Sequence, residues 1–271
     1  MGLQINNNVA AFNAYRNLSI TSGGMEKSLE KLSSGLRINR AADDASGLAI
    51  SEGLRSQIGG LKQATRNAQD GVSLVQTAEG TLNEVHNSLQ RMNELAVQHN
   101  SGIQNDDSKA ALKSEFDALR DEIGRVQTAA NFNGVDLFPS AAASASFQVG
   151  AKGQETISVS LEAVDVSALE IETVAVPNAA STGGSNGVKA AITLVSEARS
   201  NLGAVQNTFE STIKSLNVAV ENLTASESRI RDTDMASEMV QFTKNQILSQ
   251  AGTAMLAQAN QAPQGVLQLL R

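Results

Sequence analysis

One heptad stripe between residues 44 and 100 constrains the fold more than any other feature of the sequence. Its apolar or small residues recur at alternating gaps of four and three, with one shortened gap after Val75: Leu54, Ile58, Leu61, Thr65, Ala68, Val72, Val75, Ala78, Leu82, Val85, Leu89, Met92 and Ala96. This spacing is typical of a coiled-coil seam. Because an α-helix rises about 1.5 Å per residue, a helix over this segment would be roughly 85 Å long. The stripe therefore predicts an elongated helical molecule.

Three further segments carry the same helical spacing. One runs from Leu112 to Ala130 and a second from Val188 to about residue 232; the third, rich in Ala and Met, runs from Met235 to about Leu270. The polar residues 100–107 predict a turn before the first of these helices, and Asn133-Gly134 predicts a turn after it. Asp43 and Asp44 are expected to cap the long helix, since aspartate accepts hydrogen bonds from the free N–H groups of a helix start.

Residues 135–176 have a different character. Apolar and polar residues alternate at Phe147-Gln148-Val149 and again over 157–161, as in half-buried strands. The segment 150–153 between them contains two glycines and predicts a hairpin turn. The Gly- and Ser-rich stretch 177–187 is interpreted as a loop. We therefore expect one small β-hairpin element inside a helical chain.

Composition and motifs exclude several classes of function. The chain has no Cys, which removes disulfides and cysteine metal sites, and its net charge of -7 argues against nucleic-acid binding. No apolar run reaches the ~20 residues that span a bilayer, so membrane insertion is not expected. His86 and His99 lack zinc-protease spacing and are interpreted as surface residues. Since nucleophile-elbow and phosphate-loop motifs are also absent, we expect no catalytic residue, metal or cofactor and no enzyme activity.

The two chain ends both carry apolar residues at helical spacing. Neither terminal helix can bury its stripe alone, because amphipathic helices are stable mainly when packed. The simplest arrangement pairs the N- and C-terminal helices and then packs the pair against copies of itself. The predicted fold is thus mainly α: an elongated antiparallel helical bundle or coiled coil, with paired terminal helices and a small β-hairpin.

Several blocks of the sequence resemble the bacterial flagellin family. The N-terminal block spans 32–50 (LSSGLRINRAADDASGLAI), and a second block spans 90–98 (QRMNELAVQ). Asn131-Phe132-Asn133-Gly134 and Phe147-Gln148-Val149-Gly150 are similar to the family's entry into its β region. The C-terminal blocks are 228–236 (SRIRDTDMA) and 250–261 (QAGTAMLAQANQ). The resemblance covers both end thirds of the chain.

The resemblance implies a structural subunit that polymerises into the bacterial flagellar filament for swimming motility. It implies export through the flagellar type III apparatus to an extracellular location, which agrees with the lack of a signal-peptide pattern in residues 1–16. The implied partners are copies of the chain itself, an export chaperone at the C-terminal helix, the filament cap and hook-associated proteins. The implied domains are 1–43 (N-terminal inner-core helix and connector), 44–139 (outer-core helices), 140–187 (β-hairpin region and loop), 188–233 (returning outer-core helix) and 234–271 (C-terminal inner-core helix).

The expected polymerisation interface combines apolar residues of the two terminal stripes with two arginines of the connector. It consists of Ile5, Val9, Phe12, Leu29, Leu32, Arg37, Arg40, Met255 and Leu267. The apolar members follow from the stripes. The role of Arg37 and Arg40 follows from the resemblance alone, and ordinary solubility is the alternative for both arginines.

The resemblance also implies a secondary role as a ligand of a Toll-like receptor for flagellin. The matching receptor-recognition residues are Arg91, Leu95 and Glu115. Arg91 and Leu95 lie four residues apart and share a helix face, and Leu95 is expected to be partly exposed beside the seam. The alternative is a solvated pair of Arg91 with Glu94 and local packing of Leu95.

Two other functions compete with the filament subunit. A hook–filament junction protein shares the terminal architecture, although the length and the close match at both ends favour the filament subunit. A secreted effector or immune ligand without a structural task is the rival from another class, and surface abundance would separate the two.

Overall fold

The computed structural model describes residues 8–139, 143–161 and 185–269. These residues form five α-helices and two β-hairpins: α1 (Val9–Ser34), α2 (Ala45–His99), α3 (Asp106–Ala129), β1 (Asn131–Phe132), β2 (Val135–Asp136), β3 (Ala143–Gln148), β4 (Thr156–Leu161), α4 (Ser185–Arg231) and α5 (Met235–Leu269). The mainly α fold with a small β element is therefore confirmed. The returning helix α4 begins three residues before the predicted start at Val188.

The helix ends follow local sequence chemistry. Asn8 caps α1, where its side-chain oxygen accepts a hydrogen bond from the N–H of Ala11 at 3.1 Å. Gly35 ends the same helix with a φ of 72°, a conformation that glycine adopts without strain, and its N–H donates to the carbonyl of Lys31. Asn105 caps α3 in the same way as Asn8 caps α1, with the N–H of Ser108 as its donor.

Both hairpins are antiparallel. Strands β1 and β2 meet through Asn133 and Gly134, which both have positive φ, as a two-residue hairpin turn requires. The sequence predicted this turn but not the two short strands around it. Strands β3 and β4 pair in the register Phe147 with Ile157, which confirms the predicted β element.

The chain divides into two compact units: residues 1–58 with 221–271, and residues 59–220. In the first unit α1 packs along α5. Four points of contact run in opposite directions along the two helices: Asn8 with Ala259, Leu18 with Gly252, Gly24 with Asn245, and Lys31 with Glu238. The predicted pairing of the terminal helices is therefore confirmed, and the pair is antiparallel.

The second unit contains a continuous hydrophobic core. The seam residues of α2 from Ala68 to Ala96 are buried or half-buried, together with inward residues of α3, α4 and the β3–β4 hairpin. The rings of Phe147 and Phe209 meet edge to face, with centroids 5.6 Å apart. Phe209 also lies directly over Gly71, where a Cβ would come within 2.6 Å of the ring. A glycine in mid-helix is thus explained by the close approach of an aromatic side chain.

Candidate assembly surface

The face that α1 and α5 turn towards each other combines small and polar residues with larger apolar ones, such as Leu18 and Phe242. A Cβ on Gly252 would lie 3.3 Å from Leu18, and a Cβ on Gly24 would lie 3.1 Å from the side-chain amide of Asn245. Asn8 donates a hydrogen bond from Nδ2 to the carbonyl of Ala259 at 2.7 Å. The pairing covers one face of each helix, so large apolar side chains on the other faces remain uncovered.

Among the described side chains of α1 and α5, eleven large apolar ones are exposed. They are Val9, Phe12, Tyr15, Ile20 and Leu29 on α1, and Met235, Met239, Val240, Ile247, Leu248 and Met255 on α5. Phe12 is 70% exposed and Met255 is 63% exposed. Contiguous exposed apolar surface usually marks an interaction site, since water favours its burial. The paired terminal helices thus present a surface suited to association.

Part of this surface on α5 forms a shallow groove. It is lined by Met239, Val240, Thr243, Lys244, Ile247 and Leu248 and has a volume of about 500 Å³. These residues recur at gaps of three and four, so they share one face of the helix. They alternate with the half-buried residues Glu238, Phe242 and Asn245, which belong to the side of α5 that faces α1. We call these six residues the α5 groove.

The seven apolar residues of the predicted interface divide into three groups by position. Val9, Phe12, Leu29 and Met255 are exposed on the terminal helices. Leu32 is half-buried. Ile5 lies outside the described residues, and so does the side chain of Leu267, although its backbone belongs to α5.

The connector after α1 is joined to the end of α4 by backbone hydrogen bonds. Leu36 and Asp232 form an antiparallel bridge, and the N–H of Arg37 donates to the carbonyl of Arg231 at 2.6 Å. Arg37 also donates from Nη2 to the carbonyl of Ile230. The predicted interface residue Arg37 is thus engaged within its own chain.

Ion pairs and caps stabilise the same connector. Arg40 pairs with Glu30 at 2.9 Å, yet its side chain remains 72% exposed. Asp43 accepts hydrogen bonds from the backbone N–H groups of Arg40 and Asn39, and these bonds lower the pKa of the Asp43 carboxyl. Asp44 accepts from the N–H of Gly47 at 2.8 Å, which is the capping contact that the sequence predicted.

Arg231 and Glu52 form a further ion pair in this unit. Their closest nitrogen–oxygen distance is 2.6 Å, and the arginine side chain is only 13% exposed. The hydrogen bond that Arg231 donates lowers the pKa of the Glu52 carboxyl below its ordinary value. This pair links the end of α4 to the start of α2. Sequence reasoning did not find it, because the two residues lie far apart in the chain.

In the second unit, Arg91 and Glu115 form an exposed ion pair between α2 and α3. Arg91 donates from Nε and Nη2 to one carboxylate oxygen of Glu115 at 3.0 and 2.8 Å. It also donates to Glu94 at 3.1 Å. The bonds to Glu115, and then those to Glu94, raise the pKa of the Arg91 guanidinium. Two of the three predicted receptor residues are therefore neighbours on the surface.

The third predicted receptor residue does not share that surface. Leu95 was expected to be partly exposed, but its exposure is 0% and it belongs to the core with Met92 and Phe116. The expectation was wrong because α2 buries more than its seam. Some positions beside the heptad stripe, such as Leu74 and Leu95, are also covered in this unit. The same reason corrects the interpretation of His99 as a surface residue, since its exposure is only 7%.

Comparison with known proteins places this geometry in a family. The family described as bacterial flagellin N-terminal helical region matches residues 5–143, and the bacterial flagellin C-terminal helical region matches residues 186–270. The chain belongs to the bacterial flagellin family. The first match contains α1, α2 and α3, and the second contains α5 and all but the first residue of α4.

Relatives in this family align over nearly their whole length. A flagellin of Halalkalibacterium halodurans is 53% identical over 98% of this chain and 99% of its own length. A flagellar filament 33 kDa core protein of Treponema phagedenis is 45% identical over 98% of this chain and 99% of its own. The crystal structure of Bacillus cereus flagellin matches 65% of this chain and 93% of that chain, with 24% identity and a TM-score of 0.39.

The structure adds exposed residues to the predicted interface that the sequence patterns did not indicate. Tyr15, Ile20, Val240, Ile247 and Leu248 are exposed beside the predicted interface residues. Tyr15 could have been predicted as an interface residue, because it lies three residues after Phe12 on the same helix face.

The described residues contain no group of three or more His, Asp or Glu side chains arranged to hold a metal ion. Among the same residues, no helix combines the length and the apolar character needed to cross a bilayer.

Proposed function

We propose that this chain is the structural subunit that polymerises into the bacterial flagellar filament and so supports swimming motility. The observation that carries the proposal is the set of eleven large apolar side chains that are exposed among the described residues of the paired terminal helices, in a chain of the flagellin family. Burial of this apolar surface between copies lowers the free energy of the system and so favours association. A relative named as a flagellar filament core protein supports the same role.

The role is mechanical and non-catalytic under this proposal. The alternative of a hook–filament junction protein is not favoured, since relatives that align over 98% of the chain carry the names flagellin and filament core protein. The proposed layout keeps the predicted division: residues 1–43 and 234–271 form the inner core, and residues 44–139 and 188–233 form the outer core, with the hairpin region 140–187 between them.

Seeded polymerisation followed by electron microscopy tests the subunit role. Purified protein is incubated with short filament fragments of proven activity, and the products are imaged by negative stain. Long tubes with a central channel are expected. Persistent monomers beside active seeds would contradict the proposal and favour the junction protein.

The proposed interface consists of the predicted residues. Four of them, Val9, Phe12, Leu29 and Met255, are exposed on the terminal helices, which supports their role. Ile5, Leu32 and Leu267 extend the same stripes. The exposure of Arg40 allows a contact with another copy, whereas Arg37 is proposed to act by fixing the connector through Ile230. Arg40→Ala should weaken polymerisation with only a small loss of monomer stability, because its ion pair with Glu30 is exposed to solvent. Arg37→Ala should lower both.

We propose that the chain is exported before it assembles, as the family resemblance implies. The apolar side chains of α5 must be covered inside the cell, and the exposed Met235, Met239 and Met255 suit an adaptable chaperone contact. We infer that a chaperone holds α5 and that the type III apparatus delivers the chain to the outside, where the cap and hook-associated proteins receive it. Immunodetection of the protein in the medium of export-competent and export-deficient cells tests the route. Equal amounts outside both would contradict it.

Recognition by the Toll-like receptor is proposed to depend on the exposed Arg91–Glu115 pair. Leu95 would contribute indirectly, by supporting the helix that presents Arg91, because its side chain is buried. A receptor reporter assay should show loss of signal for Arg91→Ala with an unchanged circular dichroism spectrum. Leu95→Ala should reduce signal only together with the free energy of unfolding. Full signal from Arg91→Ala would contradict the proposal.

A further inference from the structure

Among the methionines that the structure describes, those of α5 stand apart by their exposure. Met235, Met239 and Met255 are 47, 49 and 63% exposed, whereas Met92 in the core of the second unit has an exposure of 0%. Met25 on α1 is half-buried. Three thioether side chains of one helix are therefore open to solvent in a single copy, and Met92 is a buried reference within the same chain.

The composition of the chain makes these methionines its main targets for a mild oxidant. Dilute peroxide reacts mainly with the sulfur atoms of a protein, and susceptibility follows exposure. The sequence contains no Cys and no Trp, so no thiol or indole competes for the oxidant. The aliphatic neighbours of Met239 in the α5 groove, Val240, Ile247 and Leu248, do not react with it. Among the described residues, oxidation of a single copy should therefore fall mainly on α5.

The reaction with peroxide changes the polarity of the side chain. A lone pair of the methionine Sδ attacks one oxygen of hydrogen peroxide, the O–O bond breaks, and an S–O bond forms. After proton transfer the second peroxide oxygen leaves as water. The sulfur loses two electrons and the peroxide gains them. A flexible apolar side chain thereby becomes a polar sulfoxide, which disrupts methionine-rich interfaces.

We infer that Met235, Met239 and Met255 form an oxidation site, and that their sulfoxides prevent the unassembled chain from joining a polymer. The inference goes beyond the proposed function but rests on it, because it requires these side chains to be covered when copies assemble. Burial of a sulfoxide without a hydrogen-bond donor is unfavourable, so the oxidised surface loses affinity. The same burial excludes the oxidant, so peroxide acts on single copies and spares the methionines of a filament.

The modification is reversible. Two methionine sulfoxide reductases, one for each epimer at sulfur, regenerate the thioether. A dithiol is oxidised to a disulfide in this step, and the sulfoxide oxygen leaves as water. The chain has no Cys, so the dithiol must come from the reductases or their reductant. The exposed positions on α5 leave the sulfoxides of a single copy open to these enzymes.

Peptide mass spectrometry after brief treatment with hydrogen peroxide tests the site. Unassembled protein and preformed filaments receive the same dose, and free methionine ends the reaction. In unassembled protein, one added oxygen is expected on Met235, Met239 and Met255, and only background on Met92. In filaments the three α5 methionines should react much more slowly. Oxidation of Met92 as fast as Met255, or equal rates in unassembled protein and filaments, would overturn the inference.

Seeded polymerisation measures the consequence of oxidation. The critical concentration of the treated chain should rise roughly tenfold or more, since burial of one polar group without a partner already corresponds to a factor of that order. Both reductases with a dithiol should restore the untreated value. A chain that carries all three sulfoxides and polymerises like untreated protein would overturn the inference and leave the filament role intact. Failure of untreated chain to polymerise on active seeds would overturn the filament role itself.

A variant with a matched control assigns the effect to α5. The triple substitution Met235→Leu, Met239→Leu and Met255→Leu replaces each thioether by an aliphatic side chain of similar volume, and Met92→Leu does the same in the core. Each protein is compared with its own untreated sample, so any effect of leucine itself on assembly cancels. Peroxide should leave the critical concentration of the triple variant unchanged and raise that of Met92→Leu. A triple variant that peroxide inhibits as strongly as Met92→Leu would overturn the inference.

Circular dichroism of the unmodified chain separates a surface effect from a loss of fold. The treated and untreated chains should give the same helical signal and the same denaturant midpoint, because the oxidised side chains are exposed in a single copy. A fall in the midpoint that accounts for the lost polymerisation would overturn the inference.

Discussion

Truncation of Phe12 should weaken polymerisation strongly and leave the monomer intact. The side chain is 70% exposed, so the fold of a single copy gains little from it. An aromatic residue of ~200 Å² that is exposed to this extent offers about 140 Å² for burial in the filament. At ~25 cal/mol per Å² this area corresponds to about 3.5 kcal/mol, of which alanine retains a minor part. We expect Phe12→Ala to cost about 2–3 kcal/mol per added subunit.

The critical concentration for polymerisation measures this cost directly. Because ~1.4 kcal/mol is a factor of ten in an equilibrium constant, Phe12→Ala should raise the critical concentration by roughly 30- to 150-fold. Sedimentation of seeded mixtures at a series of protein concentrations gives the soluble fraction at the plateau. Asn13→Ala is the control on the same helix, since it replaces an exposed polar residue beside Phe12.

Two outcomes would refute the reasoning. An unchanged critical concentration for Phe12→Ala would show that the exposed ring is not covered in the polymer. A fall in the free energy of unfolding of the monomer, matched to the loss of polymerisation, would show that the ring supports the fold of a single copy instead. Circular dichroism in a denaturant series distinguishes the second outcome.

Two further predictions concern stability. Gly71→Ala should destabilise the chain by about 1–2 kcal/mol in denaturant unfolding, since overpacking against Phe209 costs ~1–3 kcal/mol and the higher helix propensity of alanine offsets up to ~1 kcal/mol of that cost. The control Gly80→Ala should stabilise the chain, because Gly80 has open space around it. Equal effects of the two substitutions would contradict the steric reason. Glu52→Gln should lower the free energy of unfolding at neutral pH and have no such effect in acid. The pKa of Glu52 in the folded chain lies below its ordinary value of 4.5. The stabilisation from Arg231 is therefore present above pH 4.5 and is lost as the pH falls through the folded pKa. Parallel pH profiles of the two proteins would contradict the second prediction.

The helices of this protein were predictable because their signals are local and periodic. The heptad stripe of α2 fixed both the helix and its buried face, and all its members are buried or half-buried. Asn133 and Gly134 specify a tight turn through their tolerance of positive φ. The two short strands beside this turn were not predicted, because two residues per strand carry no readable alternation.

Burial beside the stripe could not be read from periodicity. Leu95 follows the seam residue Met92 by three positions, and spacing alone allows either partial exposure or burial. Its environment depends on which other elements close over that side of α2. The core that includes Phe116 of α3 buries it completely. A residue was thereby removed from the predicted receptor surface, while Arg91 and Glu115 were brought together by the same packing of α2 and α3.

The sequence by itself determined that the chain ends are apolar helices that need partners, and its motifs determined the family. Only the tertiary structure decided which face each helix gives to its own chain and which it leaves free. Small residues such as Gly24 and Gly252 allow the backbones of α1 and α5 to approach closely, so the intrachain contact selects them. The bulky Phe12 and Ile247 lie outside this contact and are exposed to solvent. Hydrophobic periodicity cannot make this distinction, because it records that a residue favours burial and does not record which surface will bury it.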